Sequence, residues 1–182
     1  LPVSQAVLTI PLLLVLGGGA SMMISSALAY TLGSYFVLTL LYTMDLKRRV
    51  LLDAFTLAGL YIMRLVAGGA INQVPLSPWL IGFSLFFFLS LAMIKRYSEL
   101  LPTKGLGVSI KGRGYLSSDM DLILPLGVCS GYISVLVMAL FINSKAAYGL
   151  YETPNGLWLI CPALLYWISR MWMLAHRGKM HS

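Results

Sequence analysis

Charged residues are scarce in this chain of 182 residues. Only 10% of them are Asp, Glu, Lys or Arg, whereas a soluble domain has about 25%. Hydrophobic residues make up 59% of the sequence, and its mean hydropathy is +0.85. The composition excludes an ordinary soluble domain. Apolar stretches close to the roughly 20 residues that cross a bilayer indicate an integral membrane protein.

Cysteine and histidine are nearly absent, with two residues of each. Cys129 and Cys161 lie in apolar runs without a CxxC spacing, which is typical of small packing residues. His176 and His181 are five residues apart and would not share a helix face, so they do not suggest a metal pair. The sequence shows neither a zinc spacing nor a Ser-His-Asp set.

The apolar stretches predict an all-α membrane protein with six spans, in a single domain over residues 1–182. Glycines, prolines and charged clusters separate the spans, and a polar, glycine-rich loop is expected over residues 98–118. The chain begins without a methionine and stops after a basic segment, so we expect a fragment truncated at both ends. The expected spans are Ser4–Gly19, Ile24–Thr43, Val50–Ala70, Trp79–Ile94, Leu122–Ile142 and Leu157–Ala175.

Basic residues collect on one predicted side of the membrane. The net charge is +7, but the loops on the opposite side carry only Lys145. The positive-inside rule assigns the basic side to the cytoplasm of a multi-pass plasma-membrane protein. Because the cations gather at span ends and not along a soluble face, we do not expect nucleic-acid binding. The basic-side residues are Lys47, Arg48, Arg49, Lys95, Arg96, Lys104, Lys111, Arg113, Arg170, Arg177 and Lys179.

The charged segment between the second and third spans is the first candidate site. Lys47 lies five residues after Tyr42, and a lysine beside a tyrosine hydroxyl can hold a phosphate oxygen through charge-assisted hydrogen bonds. Arg48 and Arg49 are more typical of a stop-transfer flank. Asp53 would either stabilise the start of the third span through the helix dipole or orient Lys47 or a ligand hydroxyl. Both interpretations stay open.

Arg64 lies eleven residues beyond Asp53, roughly 16 Å along the third span. A guanidinium at that depth is costly unless it faces a polar cavity, so its position indicates function. Anion binding or cavity lining is favoured over a structural ion pair or a carbonyl clamp. Asp53, Tyr61 and Arg64 would project from one broad helix face, as cavity-lining residues do.

A second charged segment ends the fourth span. Lys95 and Glu99 have the i, i+4 spacing of a surface pair, and Lys95 with Arg96 also suits a helix C-terminus. Because this segment is predicted to share a membrane side with Lys47, we also expect Lys95, Arg96 and Glu99 to bind an anionic ligand.

Asp119 and Asp121 precede the fifth span. They follow two serines, which favours a helix cap with an acidic first turn. The alternative is a magnesium site, which needs oxygen ligands together with substrate phosphates.

Five segments together resemble the UbiA superfamily of intramembrane prenyltransferases, and within it the branch of decaprenyl-phosphate phosphoribosyltransferases. The resemblance extends over essentially the whole chain, and the combination of segments is more specific than any one of them. The segments are residues 42–53 (YTMDLKRRVLLD), 60–68 (LYIMRLVAG), 75–79 (PLSPW), 95–100 (KRYSEL) and 166–178 (YWISRMWMLAHRG).

The resemblance implies nine transmembrane helices around a cavity that opens to the cytoplasm and laterally to lipid, of which this chain would supply six. The implied reaction transfers a 5-phosphoribosyl group from phosphoribosyl pyrophosphate to a polyprenyl phosphate. Mg²⁺ would neutralise the leaving pyrophosphate. The product would enter cell-envelope glycolipid or polysaccharide synthesis at the bacterial inner membrane, and an oligomer is compatible with this scheme.

The resemblance also implies residue roles. Glu99 would orient the sugar or the metal, Arg64 and Tyr42 would line the cavity, and the phosphates would be held by Lys47, Lys95 and Arg96. The principal magnesium motif of the family, an Asn-Asp-x-x-Asp-type run, would precede the first span and is not in this chain. We therefore assign no catalytic residue and no firm metal ligand, and we expect the isolated chain to be inactive.

Two alternatives remain. Prenyl transfer from a prenyl diphosphate to an aromatic acceptor would use the same fold, but typically a second Asp-rich motif after the fourth span. Lys95, Arg96 and Glu99 stand there instead, and only Asp119 and Asp121 keep this alternative open. An anion transporter would use a mid-span arginine, but the internal repeat common in transporters is not apparent.

Overall fold

The structure is a computed structural model that describes residues 16–72, 74, 76–104, 112–151 and 153–180. These ranges are mostly helical and contain no β-strand. Residues 16–24 are helical and stop before Ser25. The helices that follow are α1 (Ser26–Met44), α2 (Leu52–Asn72), α3 (Pro78–Leu100), α4 (Met120–Ile142), the short α5 (Lys145–Leu150) and α6 (Ile160–His176).

Five helical stretches are long and apolar enough to cross a membrane. They confirm the last five expected spans, and the chain is a polytopic helical membrane protein. The first expected span, Ser4–Gly19, lies almost entirely outside the described residues. The five stretches are Ser26–Met44, Leu52–Asn72, Pro78–Thr103, Ser117–Ile142 and Asn155–His176.

Helix α3 is longer than the sequence suggested. The expected end at Ile94 is wrong, because the helix continues through the charged pair that follows and ends at Leu100. Arg96, Tyr97 and Leu100 are all buried, so the last turns pack into the bundle instead of entering solvent. Because Arg96 faces the interior of the bundle and forms ion pairs there, its charge does not require α3 to end.

The core is formed where α3 packs on α4, with α6 against both. The hydroxyl of Ser90 donates to the carbonyl of Gly127 at 2.7 Å and accepts from the indole N–H of Trp172 at 3.1 Å. A side chain at Gly127 would overlap the Trp172 ring, and one at Gly131 would come within 2.7 Å of a methyl of Ile168. Small residues at these positions let the helices approach closely, as is common between membrane helices.

One end of the bundle collects the ends of α1, α3 and α6 and the start of α2. Tyr42 near the end of α1 and Asp53 in the first turn of α2 both contact Arg96 of α3. The Tyr97 hydroxyl lies 2.9 Å from Nδ1 of His176 at the end of α6. This end carries both charged segments that the sequence singled out, and we call it the basic end.

Candidate functional site

Asp53 lies at the centre of a polar cluster at the basic end. Its carboxylate, 0% exposed, accepts hydrogen bonds from Nε of Arg96, from the Tyr115 hydroxyl at 2.5 Å and from Nη1 of Arg113 at 3.4 Å. Withdrawing a lone carboxylate from water costs several kcal/mol. The three donors offset that cost, and they come from α3 and from the segment before α4. Asp53 therefore links α2 to α3 and to the segment before α4 through side-chain hydrogen bonds.

Arg96 is committed to the same cluster. Its side chain is 1% exposed, and each of its three nitrogens has a partner. Nε donates to Asp53, Nη1 donates to Oε2 of Glu99 at 2.6 Å, and Nη2 donates to the Tyr42 hydroxyl at 3.3 Å. Because its side chain is buried and its charge faces two carboxylates, Arg96 is poorly placed to bind an anionic ligand directly.

Arg113 closes the cluster from the solvent side. Its Nε lies 3.0 Å from Oε2 of Glu99, and its Nη2 donates to Oε1 at 3.4 Å. Arg113 and Glu99 are 21% and 26% exposed. Two carboxylates thus face two guanidiniums, and the formal charge sums to zero. We call Tyr42, Asp53, Arg96, Glu99, Arg113 and Tyr115 the Asp53 cluster.

Tyr115 links this cluster to the backbone in front of α2. Its hydroxyl donates to Oδ1 of Asp53 and accepts from the Leu51 N–H at 2.9 Å. Burial, and then the hydrogen bond to Asp53, raise the pKa of Tyr115 above its ordinary value. Tyr115 therefore stays a neutral hydroxyl at any physiological pH, able to donate and accept at once.

Lys47 and Lys95 lie beside the cluster. Lys47 is half-buried in the 3₁₀ turn Leu46–Arg48, and the Lys95 side chain is exposed on α3. The suggested i, i+4 pair of Lys95 with Glu99 is not what the structure shows. Glu99 pairs with Arg96 and Arg113, because Arg96 faces the bundle interior at i, i+3 whereas Lys95 faces outward.

Arg64 lies apart from the cluster, eleven residues or roughly 16 Å along α2 from Asp53. It is exposed, and its Nη2 donates to the Tyr35 hydroxyl of α1 at 3.0 Å. Its guanidinium carbon lies 5.1 Å from the ring centre of Tyr61 and 5.7 Å from that of Tyr35, as in cation–π contacts. The structure thus places Arg64 at a second polar position, where its partner is Tyr35 of α1 and not a residue of the Asp53 cluster.

The described ranges contain no cluster of side chains that could hold a metal ion by protein ligands alone. No three of His, Cys, Asp and Glu in these ranges lie close enough together to hold a metal ion. Asp53 and Glu99 already face guanidiniums. Asp119 accepts from the Leu116 N–H at 2.9 Å, which is one of the two roles suggested for it, while Asp121 is exposed at the start of α4.

Arg113 and Tyr115 were missed as site residues by sequence reasoning. The sequence placed Arg113 only among the basic residues of one membrane side, and no role was predicted for Tyr115. The segment Gly112-Arg-Gly-Tyr115 has no helical or strand periodicity from which a facing direction follows. The available signal was the isolated aromatic residue in an otherwise polar, glycine-rich loop.

The comparisons with known proteins place the chain among bacterial relatives, although no family model matches it. It is 35% identical over 171 residues to the uncharacterized protein y4nM of Sinorhizobium fredii, covering 93% of this chain and 33% of that protein. It is 34% identical over 175 residues to the nodulation protein NoeC of Azorhizobium caulinodans, covering 93% and 56%.

Enzymes also occur among these relatives. A decaprenyl-phosphate phosphoribosyltransferase of Mycolicibacterium smegmatis is 30% identical over 115 residues, covering 59% of this chain and 36% of that protein. The chain thus spans about a third to a half of the length of these relatives. It is a multi-pass membrane protein with distant homologues named as transferases.

Proposed function

We propose that this chain is the membrane part of a UbiA-type transferase that moves a 5-phosphoribosyl group from phosphoribosyl pyrophosphate to a polyprenyl phosphate. The observation that carries the proposal is an apolar helical bundle with one basic end, built around the buried Asp53 cluster. The partial similarity to decaprenyl-phosphate phosphoribosyltransferases supports it. The basic end would face the cytoplasm of a bacterial plasma membrane, in line with the positive-inside rule.

A polyprenyl phosphate has a long apolar chain and one anionic head. The bundle has an apolar surface that could contact the chain and basic side chains that could bind the head. The outward faces of α1, α2 and α4 expose many large hydrophobic side chains, which suits contact with lipid. Lys47 and Lys95 lie at the basic end, where a lipid phosphate would sit at the membrane surface. Charge-assisted hydrogen bonds from lysine would hold such a phosphate.

The proposed chemistry displaces pyrophosphate from the ribose carbon while a phosphate oxygen of the lipid forms the new bond. Negative charge develops on the leaving pyrophosphate, so fixed cations near it would stabilise the transition state. We assign this role to Lys47 and Lys95. Mg²⁺ remains part of the proposal through the family resemblance, but no step is assigned to the carboxylates described above.

The remaining predicted residues take different roles in this proposal. Because Arg96 and Glu99 neutralise each other within the Asp53 cluster, we propose that they position the site instead of binding phosphate directly. Asp53 and Tyr42 would do the same.

Arg64, which donates a hydrogen bond to Tyr35, would line the path of the substrate at mid-membrane depth.

The experiment uses the complete protein that contains this chain, purified in detergent with Mg²⁺. It is supplied with phosphoribosyl pyrophosphate and a polyprenyl phosphate, and lipid-linked phosphoribose is sought by mass spectrometry. We expect product with the wild type, and a large decrease with Lys47→Ala or Lys95→Ala. The exposed Lys145→Ala on the opposite side is the control, and it should keep wild-type activity.

A parallel reaction with a prenyl diphosphate and an aromatic acid tests the alternative. Prenylation of the acid without phosphoribosyl transfer would keep the proposed fold and overturn the proposed substrates. Failure of both reactions in folded protein would contradict a transferase role and favour the binding or transport of an anion.

A further inference from the structure

The segment Gly112–Leu116 packs directly on the turn that carries Lys47, Arg48 and Arg49. A side chain at Gly114 would overlap the backbone carbonyl oxygen of Arg48 and would come within 3.3 Å of a methyl of Val50. The neighbouring Tyr115 accepts a hydrogen bond from the Leu51 N–H at 2.9 Å. Two adjacent residues of the segment therefore contact two successive parts of the turn.

The turn itself is strained at Leu51, and its own contacts are backbone hydrogen bonds and one exposed ion pair. Leu51 has φ of 66°, a left-handed conformation that is uncommon for a residue with a side chain and persists only where surrounding contacts enforce it. The one ion pair within the turn, Arg49 with Asp45 at 2.7 Å, is more than half exposed and adds little. The three consecutive basic residues also repel one another. Contacts from outside the turn therefore add to its own backbone hydrogen bonds in keeping Leu51 in this conformation.

The segment is itself anchored deep in the bundle. Tyr115 is fully buried and donates to Asp53, which is fully buried too. Arg113 contacts both Asp53 and Glu99. The position of the segment is thus fixed by α2 and α3, and it transmits that position to the turn through Gly114 and Tyr115.

We propose that Tyr115 and Gly114 are positioning residues that hold the basic turn 46–51 against the rest of the Asp53 cluster, so that Lys47 is oriented toward the phosphates of the substrate. This inference rests on the proposed function for the identity of the ligand. The geometry that carries it comes from the segment and the turn. Neither Tyr115 nor Gly114 touches substrate in this scheme.

The experiment compares Tyr115→Phe and Gly114→Ala with the wild type in the complete protein, with Tyr148→Phe as the matched control. Tyr115→Phe removes the hydroxyl that joins Leu51 to Asp53. Gly114→Ala leaves every charge and every hydrogen-bonding side chain in place but forces the segment away from the Arg48 carbonyl. Tyr148 is exposed on α5, far along the sequence from the turn, and the same change there should alter nothing.

Steady-state kinetics and hydrogen exchange are the readouts. We expect kcat for phosphoribosyl transfer to fall roughly tenfold in both variants with KM for phosphoribosyl pyrophosphate changed little, because a displaced Lys47 stabilises less of the charge that develops in the transition state. We also expect faster amide exchange in peptides covering residues 46–52, with a small decrease in unfolding temperature. A purely structural role would instead lower the yield of folded protein and leave kcat of the folded fraction unchanged.

The outcomes separate the two proposals. Unchanged exchange in residues 46–52 of both folded variants overturns the positioning role, whatever the activity. If the wild type shows no phosphoribosyl transfer, the proposed function fails, and the exchange measurement still decides whether the segment holds the turn. If Tyr115→Phe does not fold, Gly114→Ala provides both readouts.

Discussion

Arg96 and Asp53 form an ion pair across the interface of α3 and α2 that is almost completely shielded from solvent, with side chains 1% and 0% exposed. The two residues are 43 positions apart in the sequence. It aligns the C-terminal end of one span with the N-terminal end of another. Because both charges have further polar partners, the pair is part of a network rather than an isolated contact.

Removing one partner of this pair should destabilise the protein strongly. Asp53→Asn leaves Arg96 only the partly exposed Glu99 as an opposite charge, and Arg96→Met leaves Asp53 only Arg113 at 3.4 Å. Each single change should therefore cost up to about 3–5 kcal/mol, the range for breaking a buried ion pair. The double variant should lose less than the sum of the two single losses, since neither charge is then left alone. Thermal unfolding in detergent of the four proteins forms a double-mutant cycle that measures the coupling.

The exposed pair of Arg49 with Asp45 is the control for that cycle. Its side chains are 61% and 57% exposed, and a pair of this kind contributes about 0–1 kcal/mol. Arg49→Ala should therefore barely change the unfolding temperature. Equal losses for the exposed and the buried pair would contradict the assignment of Asp53 as the centre of the cluster.

Tyr115 should make stability depend on alkaline pH. Its pKa is raised in the folded protein, so folding favours the neutral hydroxyl. The stabilisation it gives is fully present below the ordinary tyrosine pKa of about 10 and is lost as pH rises through the higher folded-state pKa. The stability difference between the wild type and Tyr115→Phe should be constant from about pH 7 to 9 and shrink above about pH 10.

Denaturant unfolding of both proteins across that range provides the measurement, and other ionising groups cancel in the difference. A difference that grows with pH above about 10 would mean that Tyr115 ionises more readily in the folded protein, contrary to its buried contact with a carboxylate.

Close packing around α4 should make Gly127→Ala destabilising by about 1–3 kcal/mol, the usual cost of overpacking. The added methyl would overlap the Trp172 ring and approach Cβ of Met93 within 2.7 Å. Gly33→Ala in α1 is the control, because nothing lies within 4 Å of a Cβ built there. It should be neutral or slightly stabilising, since alanine is the better helix former. Unfolding temperatures in detergent measure both changes.

Hydropathy predicted six spans, because lipid demands about 20 apolar residues per crossing, and the five that fall within the described residues are found there. It could not show that Arg96 faces inward, since the same basic pair suits a solvent-exposed helix end. That distinction depends on Asp53, 43 residues earlier, being placed beside it by the fold. Tyr115 was still harder to anticipate, because a non-periodic loop gives no facing direction.

Arg64 provides the last prediction, because its role can be separated from that of the cluster. An arginine at mid-span costs several kcal/mol when it faces lipid, so Arg64→Leu should leave the unfolding temperature unchanged or higher. If Arg64 contacts the substrate, the same variant should lower kcat/KM for lipid-linked product more than tenfold, with Arg64→Lys retaining part of it. A decrease of several degrees in unfolding temperature would show instead that Arg64 mainly stabilises α1 against α2 through Tyr35. Because Arg64 and Asp53 do not touch, combining Arg64→Leu with Asp53→Asn should give additive changes in stability.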